Sequence, residues 1–181
     1  SVNDVLIRVY EASKIFSPYS VIRLTGDCPM IDPNLIDNLI TLFHEKKADY
    51  ANLDKNFAEG LDVEIIRFNA LKICNKEAKL FSEREHITQY IIKNSNRFKL
   101  ISLRNEFDES KLRIVVDEHQ DYLLIKEIAN YFSKRFLGYD YTYSDIRNFL
   151  YSNFEFVKLN SKIIRNEGLL KSLQNDYILK T

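Results

Sequence analysis

Residues 21–33, Val-Ile-Arg-Leu-Thr-Gly-Asp-Cys-Pro-Met-Ile-Asp-Pro, decide the fold class of this chain. The apolar run that opens the stretch stops at Thr-Gly, and the carboxylate of Asp27 follows directly. Pro29 keeps the residue before it out of the helical region, and Asp32 followed by Pro33 is typical of a helix N-terminus. The stretch therefore predicts a strand, a sharp turn with an acid at its tip, and then a helix. In open α/β sheets, ligands bind at the carboxyl ends of such strands.

The rest of the chain alternates between strand-like and helix-like patterns, which favours an α/β layered domain. Strands are predicted at residues 19–24, 48–53, 61–68, 98–103 and 112–116. Helices are predicted from Asn3 or Asp4, from Asp32, from Asn69, over 82–94 and over 122–136. The run 112–116 is almost wholly apolar, as in a strand that is buried on both faces.

The pattern changes after Gly138. Residues 139–144 form an aromatic, turn-prone link, and residues 144–181 are typical of helices joined by short loops. We therefore predict an α/β domain over residues 1–138 and a helical tail over residues 139–181. A chain of this length can bury a sizeable core, roughly 70% of its unfolded surface.

The composition is that of a globular protein and argues against several functional classes. The 26 basic and 26 acidic residues cancel, so nothing indicates a surface for nucleic acid or lipid. No apolar stretch approaches the roughly 20 residues that span a bilayer, and the first residues lack the features of a signal peptide. Cys28 and Cys74 form neither a metal-type spacing nor a disulfide framework. We expect a cytoplasmic protein that binds neither nucleic acid nor membrane.

Two acids, Asp27 and Asp117, each come directly after a predicted strand. If those strands are parallel neighbours, both carboxylates emerge at the same edge of the sheet. Two carboxylates, together with phosphate oxygens and waters, are a common way to hold Mg²⁺. Alternatively, Asp27 shapes a turn and Asp117 caps a helix, and spacing alone favours these simpler roles.

Three further charged residues are candidates for contact with a substrate. Asp62 and Glu64 lie two residues apart on a predicted strand, so they share a face that can bind hydroxyl groups or help to hold a metal. Arg84, at the start of a predicted helix, can anchor a hydroxyl group or a phosphate through its planar guanidinium. The simpler alternatives are the solvated side of an edge strand and a charged helix start. The sequence contains neither GxGxxG nor GxxxxGK[ST], so no glycine loop of these types binds phosphate.

Four motifs occur in the order in which one protein family carries them. They are Ile-Arg-Leu-Thr-Gly-Asp-Cys-Pro at 22–29, Gly-Leu-Asp-Val-Glu at 60–64, Ser-Glu-Arg-Glu-His-Ile-Thr at 82–88 and Leu-Arg-Ile-Val-Val-Asp at 112–117. Together they resemble the spore coat polysaccharide biosynthesis protein F family. That family belongs to the cytidylyltransferase-like sugar nucleotidyltransferases, which are related to the enzymes that make CMP-sialic acid and CMP-Kdo. The resemblance covers essentially the whole chain, including the segment 159–173.

The resemblance implies a three-layer α/β sandwich with a mostly parallel, Rossmann-like sheet, followed by a helical tail. It implies that a sugar phosphate, or the anomeric hydroxyl of an acidic sugar, attacks the α-phosphorus of a nucleoside triphosphate and pyrophosphate leaves. The product is an activated sugar for surface polysaccharide synthesis. By resemblance, Asp27 and Asp117 are catalytic and hold Mg²⁺, whereas Asp62, Glu64 and Arg84 bind the sugar. Relatives are often dimers, so a homodimer is expected.

The resemblance also implies that this is a member shortened at its N-terminus. Family members begin with a strand and a glycine- and arginine-bearing loop that holds the nucleotide, followed by a second strand–helix unit. Here residues 3–6 already correspond to the helix after that unit. One alternative is a non-catalytic remnant or subunit that binds a sugar nucleotide or a partner chain. Another is a glycosyltransferase that uses nucleotide sugars, against which the lack of an Asp-x-Asp triplet counts.

Overall fold

The stretch quoted above folds as its residues predict. In the computed structural model, which describes residues 4–135 and 141–179, strand β1 (Ser20–Leu24) leads into a turn and then into helix α2 (Pro33–Lys46). The carboxylate of Asp32 caps this helix, since its Oδ1 accepts a hydrogen bond from the backbone N–H of Asn34 at 2.8 Å. Pro33 occupies the first helical position, where no N–H donor is needed.

The remaining elements largely follow the predicted alternation. The other strands are β2 (Tyr50–Leu53), β3 (Val63–Arg67) and β4 (Leu100–Leu103). The other helices are α1 (Val5–Lys14), α3 (Phe68–Glu77), α4 (Phe81–Glu85), α5 (Gln89–Lys93), α6 (His119–Ser133), α7 (Tyr143–Ser152), α8 (Phe154–Val157) and α9 (Glu167–Gln174). The helix predicted over 82–94 is thus two short helices, because the chain leaves the helical path at His86.

The sheet has the strand order β1-β3-β2-β4, and its pairing is mixed. Strand β3 is antiparallel to both of its neighbours, whereas β2 and β4 are parallel. Strands β1, β2 and β4 therefore run in the same direction, and the expectation of a mostly parallel sheet fails only at β3. The reason lies in the connection 54–62, which is too short for the crossover of about a dozen or more residues that parallel neighbours need.

Helices cover both faces of the sheet, which confirms the α/β layered class. Helix α2 supplies Leu39 and Phe43 to a core with Val63 and Ile65 of β3. On the opposite face, α1 and α3 pack on Ile66. Adjacent β3 residues thus serve different cores, as the alternation of a strand requires.

One face of the sheet changes from apolar to polar between two neighbouring rows of side chains. The first row packs under α1 and α3 and consists of Val21, Ile66, Tyr50 and Leu100. The next row, which we call the polar row, consists of Arg23, Glu64, Asn52 and Ser102. It lies two residues nearer the carboxyl ends of β1, β2 and β4.

The prediction of a strand at 112–116 is wrong. This segment runs extended beside Glu59, where the Ile114 N–H donates to the Glu59 carbonyl at 2.7 Å and the Glu59 N–H donates to the Leu112 carbonyl at 3.0 Å. It makes only an isolated bridge and joins no strand of the sheet. Leu112 and Ile114 are buried in a core with residues of α6 and α7, so their apolar character reflects helix packing rather than two strand neighbours.

The C-terminal helices pack on the turn that follows β1. Phe149 of α7 and Val157 of α8 share a core with Met30. Asp32, whose Oδ1 caps α2, also accepts a hydrogen bond at Oδ2 from the Tyr143 N–H at 2.8 Å. The predicted domain boundary at residues 138/139 lies outside the described residues. Among the described helices, none combines the length and the apolar character needed to cross a bilayer.

We predict that Gly60→Ala destabilises the fold, because Gly60 has a φ of 102° and a Cβ there would lie 2.5 Å from the Ile114 carbonyl carbon. The expected loss is about 2 kcal/mol or more of unfolding free energy. Gly26→Ala is the matched control, since a Cβ at Gly26 would meet nothing within 4 Å. Urea unfolding followed by circular dichroism measures both variants. Equal midpoints for the two variants would contradict the close packing at Gly60.

Candidate active site

A cleft of about 630 Å³ opens where β1 and β2 end and β3 begins. The sequence predicts five charged site residues, and four of them line this cleft: Asp27, Asp62, Glu64 and Asp117. Its other walls come from the segment around His86 and from residues 163–171 of the C-terminal part. The cleft thus lies at the carboxyl ends of the parallel strands, where open α/β sheets bind ligands.

Asp27 and Asp117 lie on two segments that are hydrogen-bonded to each other. The N–H of Val116 donates to the carbonyl of Asp27 at 2.8 Å, so Asp117 follows directly after this contact. The two acids are therefore neighbours, although Asp117 does not follow a strand of the sheet. Two carboxylates beside an open cleft fit Mg²⁺, which completes its shell with water and phosphate oxygens. No group of three or more His, Cys, Asp or Glu residues that could hold a metal occurs within residues 4–135 and 141–179.

The thiol of Cys28, next to Asp27, is part of the turn rather than a nucleophile. It is buried and lies 3.0 Å from the hydroxyl of Thr25. Burial, and to a smaller extent the charges of Asp62 and Asp27, raise the pKa of Cys28 to about 11. The thiol therefore stays protonated at neutral pH, and thiolate chemistry is not available there.

Arg113 forms buried ion pairs with Glu59 and Asp121 and also binds Asp117, whose side chain is half-exposed. Its Nη2 donates to Asp117 and to Asp121 at 2.9 Å each, its Nε donates to Asp121 at 2.9 Å, and its Nη1 pairs with Glu59 at 2.7 Å. Asp121 is fully buried and also accepts a bond from the Asn160 amide at 2.8 Å. Burial alone would raise the pKa of Asp121, but the bonds from Arg113 and Asn160 outweigh it and hold that pKa below its ordinary value.

Glu64 is a fixed negative charge in the cleft. Its Oε2 accepts from Arg23 Nη1 at 2.8 Å, and its Oε1 accepts from the Tyr50 hydroxyl at 2.7 Å and the Thr88 hydroxyl at 2.9 Å. Burial and then the charge of Glu64 raise the pKa of Tyr50 well above its ordinary value, so Tyr50 remains a donor. Both oxygens of Glu64 are thus already bonded to protein, which suits an orienting role.

Asp62 faces the same cleft from the beginning of β3, as its spacing from Glu64 predicts. One of its oxygens accepts a bond from the Gly60 N–H at 3.1 Å. Loss of hydration in the cleft raises the pKa of Asp62, and the charges of Glu59 and Glu64 act in the same direction. The sugar-binding role of Asp62 stays a prediction.

Arg84 lies away from the cleft, which corrects its expected placement beside a sugar. Its side chain is buried and makes three hydrogen bonds to the carboxylate of Asp4, the shortest at 2.6 Å. Its remaining bonds go to the carbonyl and the side chain of Asn75 at 3.0 and 3.2 Å. Arg84 therefore ties the start of α1 to α3 and α4.

The sequence patterns did not single out three features of the cleft. Arg23 lines it from β1, and the signal is a charged residue inside an otherwise apolar strand. His86 lies 3.1 Å from the Ser172 hydroxyl, and burial lowers the pKa of His86, which favours the neutral ring. Asn166 donates its backbone N–H to the Glu59 carboxylate at 2.8 Å. This bond joins the C-terminal wall of the cleft to the segment that precedes β3.

Comparison with known proteins gives consistent matches. The cytidylyltransferase family profile matches residues 1–167. The uncharacterized protein MJ1063 of Methanocaldococcus jannaschii is 34% identical over 168 residues, 90% of this chain and 66% of that protein. Spore coat polysaccharide biosynthesis protein SpsF of Bacillus subtilis is 32% identical over 128 residues, 69% of this chain and 52% of that protein.

A solved structure gives the same result. The structure of a cytidylyltransferase from Leptospira borgpetersenii serovar Hardjo-bovis superposes with a TM-score of 0.80 at 32% identity. The match covers 87% of this chain and 66% of that chain. The present chain thus spans 66% of the length of two of these relatives and 52% of the third.

We predict that Asp121→Asn lowers the unfolding free energy by about 3 kcal/mol at pH 7, because Arg113 loses a buried counter-charge. The folded-state pKa of Asp121 is depressed, so its contribution is present above the unfolded pKa and is lost as pH falls through the folded value. The difference from wild type should therefore shrink below roughly pH 4.

Urea unfolding at a series of pH values measures this difference. Asp37→Asn, at an exposed position of α2, is the control and should change stability by no more than about 0.5 kcal/mol. A cost of Asp121→Asn that is the same at pH 7 and pH 3 would argue against the ionic role of Asp121.

Proposed function

This chain belongs to the cytidylyltransferase family, and from that premise we propose that it transfers a cytidylyl group from CTP to a sugar. An oxygen of the sugar substrate attacks the α-phosphorus of CTP. A new O–P bond forms, the bond between the α-phosphorus and the bridging oxygen breaks, and pyrophosphate leaves with its electron pair. The product is a CMP-activated sugar.

The contact between the Asp27 and Asp117 segments is the observation that carries this proposal. It brings the backbone of the Asp27 turn against the segment that carries Asp117, and both residues line a cleft large enough for a nucleotide and a sugar. Asp27 and Asp117 are the residues that would hold Mg²⁺, which when bound neutralises charge on the phosphates of CTP. We assign the reaction to direct transfer from CTP to the sugar, without a covalent enzyme intermediate.

The protein's own contribution in this proposal is positioning and electrostatic preorganisation. Arg113 fixes one oxygen of Asp117, and Asp121 holds Arg113 in place. The wall formed by residues 163–171 covers one side of the cleft. Because these groups are fixed before the substrate binds, little reorganisation is needed during the reaction.

The name of the Bacillus subtilis relative links that protein to spore coat polysaccharide synthesis. We propose that the activated sugar made by the present chain likewise enters surface polysaccharide assembly, and that the reaction takes place in the cytoplasm. The homodimer expected from the resemblance stays a prediction.

We predict that the protein, as its gene encodes it, releases pyrophosphate from CTP in the presence of a sugar substrate. A coupled pyrophosphate assay with CTP, UTP, GTP and ATP against a panel of sugars measures this. Asp27→Asn should lower kcat/KM by about 100-fold or more, since a bound metal contributes several kcal/mol to charge stabilisation. Asp37→Asn makes the same charge change outside the cleft and should keep full activity.

Two outcomes would count against the proposal. Full activity of Asp27→Asn would remove Asp27 from the metal site. Tight binding of CMP-sugars without any pyrophosphate release would favour the alternative of a non-catalytic sugar-nucleotide binding protein.

A further inference from the structure

We propose that His86 is the general base of the reaction and that its Nδ1 takes the proton from the sugar hydroxyl that attacks the α-phosphorus of CTP. This inference rests on the proposed function, because it assigns a catalytic residue to that reaction. A hydroxyl must lose its proton as the new O–P bond forms, whereas a sugar phosphate at neutral pH already offers an unprotonated oxygen. The inference therefore requires a hydroxyl as the attacking group.

The tautomer of the His86 ring follows from its contact with Ser172 of α9. The Ser172 hydroxyl has one proton, and its oxygen lies 2.6 Å from Glu85 Oε2 and 3.0 Å from the Gly168 carbonyl oxygen. A carboxylate and a carbonyl can only accept, so the proton of Ser172 is used on one of them. The 3.1 Å contact between Ser172 Oγ and His86 Nε2 is then a hydrogen bond only if Nε2 donates. Glu85 Oε2 lies 3.4 Å from the same nitrogen and favours a proton there as well.

A neutral ring that carries its proton on Nε2 has an unprotonated Nδ1, which is both a hydrogen-bond acceptor and a base. No hydrogen-bond partner of His86 Nδ1 occurs within residues 4–135 and 141–179. The side chain of His86 is 28% exposed and lines the cleft. Nδ1 is thus available to accept a proton from a bound substrate.

The surroundings of His86 keep its ring neutral at neutral pH. Burial is the main cause and lowers the pKa of His86, and the positive charge of Arg23 on β1 acts in the same direction. The negative charges of Glu85 on α4 and Glu64 on β3 oppose this shift without reversing it. Helix α9 brings the uncharged Ser172 against the ring. The base form is therefore present above the lowered pKa and is lost as pH falls through it.

The segment that carries His86 is tied to the polar row. Two residues after His86, Thr88 donates its hydroxyl to Glu64 at 2.9 Å. Asp27 and Asp117, which would hold Mg²⁺, line the same cleft as His86. A sugar bound at the polar row can therefore present a hydroxyl to His86 in the cleft that would hold the phosphates of CTP.

The carboxylates of the cleft leave one rival for the role of base. Both oxygens of Glu64 already accept hydrogen bonds from protein donors. In the proposed function Asp27 and Asp117 hold the metal. Asp62 is the remaining rival, and variants at His86 and Asp62 separate the two.

The proposed step conserves every proton and electron pair. The hydroxyl oxygen bonds to the α-phosphorus, its proton moves to Nδ1, and pyrophosphate leaves with the electrons of the broken P–O bond. His86 is then positively charged until its proton passes to solvent. The carboxylate of Glu85, 3.4 Å from Nε2, stabilises the charged ring during that time.

Nitrogen-15 NMR of the whole protein without substrate tests the tautomer independently of turnover. Above neutral pH, the His86 ring should show a protonated Nε2 and an unprotonated Nδ1. The signals that disappear in His86→Gln identify this ring among the three histidines of the chain. A ring protonated mainly on Nδ1 would overturn the inference.

His86→Gln removes the base but keeps a donor for Ser172, since the amide nitrogen of Gln reaches about the position of Nε2. In the pyrophosphate assay kcat should fall about 100-fold or more, while the KM values for CTP and the sugar stay within about threefold of wild type. A role in packing alone would instead lower the melting temperature, which thermal unfolding measures. His44→Gln makes the same change at an exposed position outside the cleft and should keep full activity.

The pH profile of kcat/KM separates His86 from Asp62. Wild-type activity should fall below roughly pH 6.5, as the pH passes through the lowered pKa of His86. His86→Gln should lack this acidic limb, and Asp62→Asn should keep it. An acidic limb that persists in His86→Gln and disappears in Asp62→Asn would assign the base to Asp62 and overturn the inference.

The inference and the proposed function fail in different ways. Full activity of His86→Gln, in a protein whose wild type releases pyrophosphate, overturns the inference alone. No release by the wild type with any nucleotide and sugar overturns the proposed function on which the inference rests.

Discussion

The register of β3 between β1 and β2 is the constraint on which the rest of the structure depends. It places Glu64 opposite both Arg23 and Asn52, and Ile66 opposite both Val21 and Tyr50. Because side chains alternate between faces, a slip of one residue would turn Glu64 toward α2 and its apolar core, and Ile65 toward the cleft. The same pairing that completes the core therefore also builds the floor of the cleft.

A second level of organisation joins the sheet to the C-terminal part. Arg113 lies on a segment that belongs to no strand, yet it connects Asp117 at the cleft with buried Asp121 and with Glu59. Glu59 in turn accepts from the Asn166 N–H of the C-terminal wall. Cleft-lining groups from three distant parts of the sequence thus share one hydrogen-bonded network, and such networks respond to change as a unit.

The sequence was informative where structure is decided by neighbours along the chain. Asp32 and Pro33 start α2 through local hydrogen bonding and a fixed φ, and the spacing of Asp62 and Glu64 puts both on the cleft face. Sequence patterns gave wrong predictions where contacts with residues far along the chain determine the structure. The apolar run at 112–116 packs against helices rather than between strands. Arg84 forms hydrogen bonds with Asp4, which lies 80 residues away in the sequence.

The double use of Asp32 affects how the chain is completed during synthesis. One oxygen caps α2 through a neighbouring residue, whereas the other binds the N–H of Tyr143, 111 residues further on. On the ribosome, N-terminal parts emerge and begin to fold first, and long-range contacts form last. The strand, turn and helix that begin the site can form early, but the carboxylate that caps α2 acquires its second partner only after the segment that carries Tyr143 has emerged.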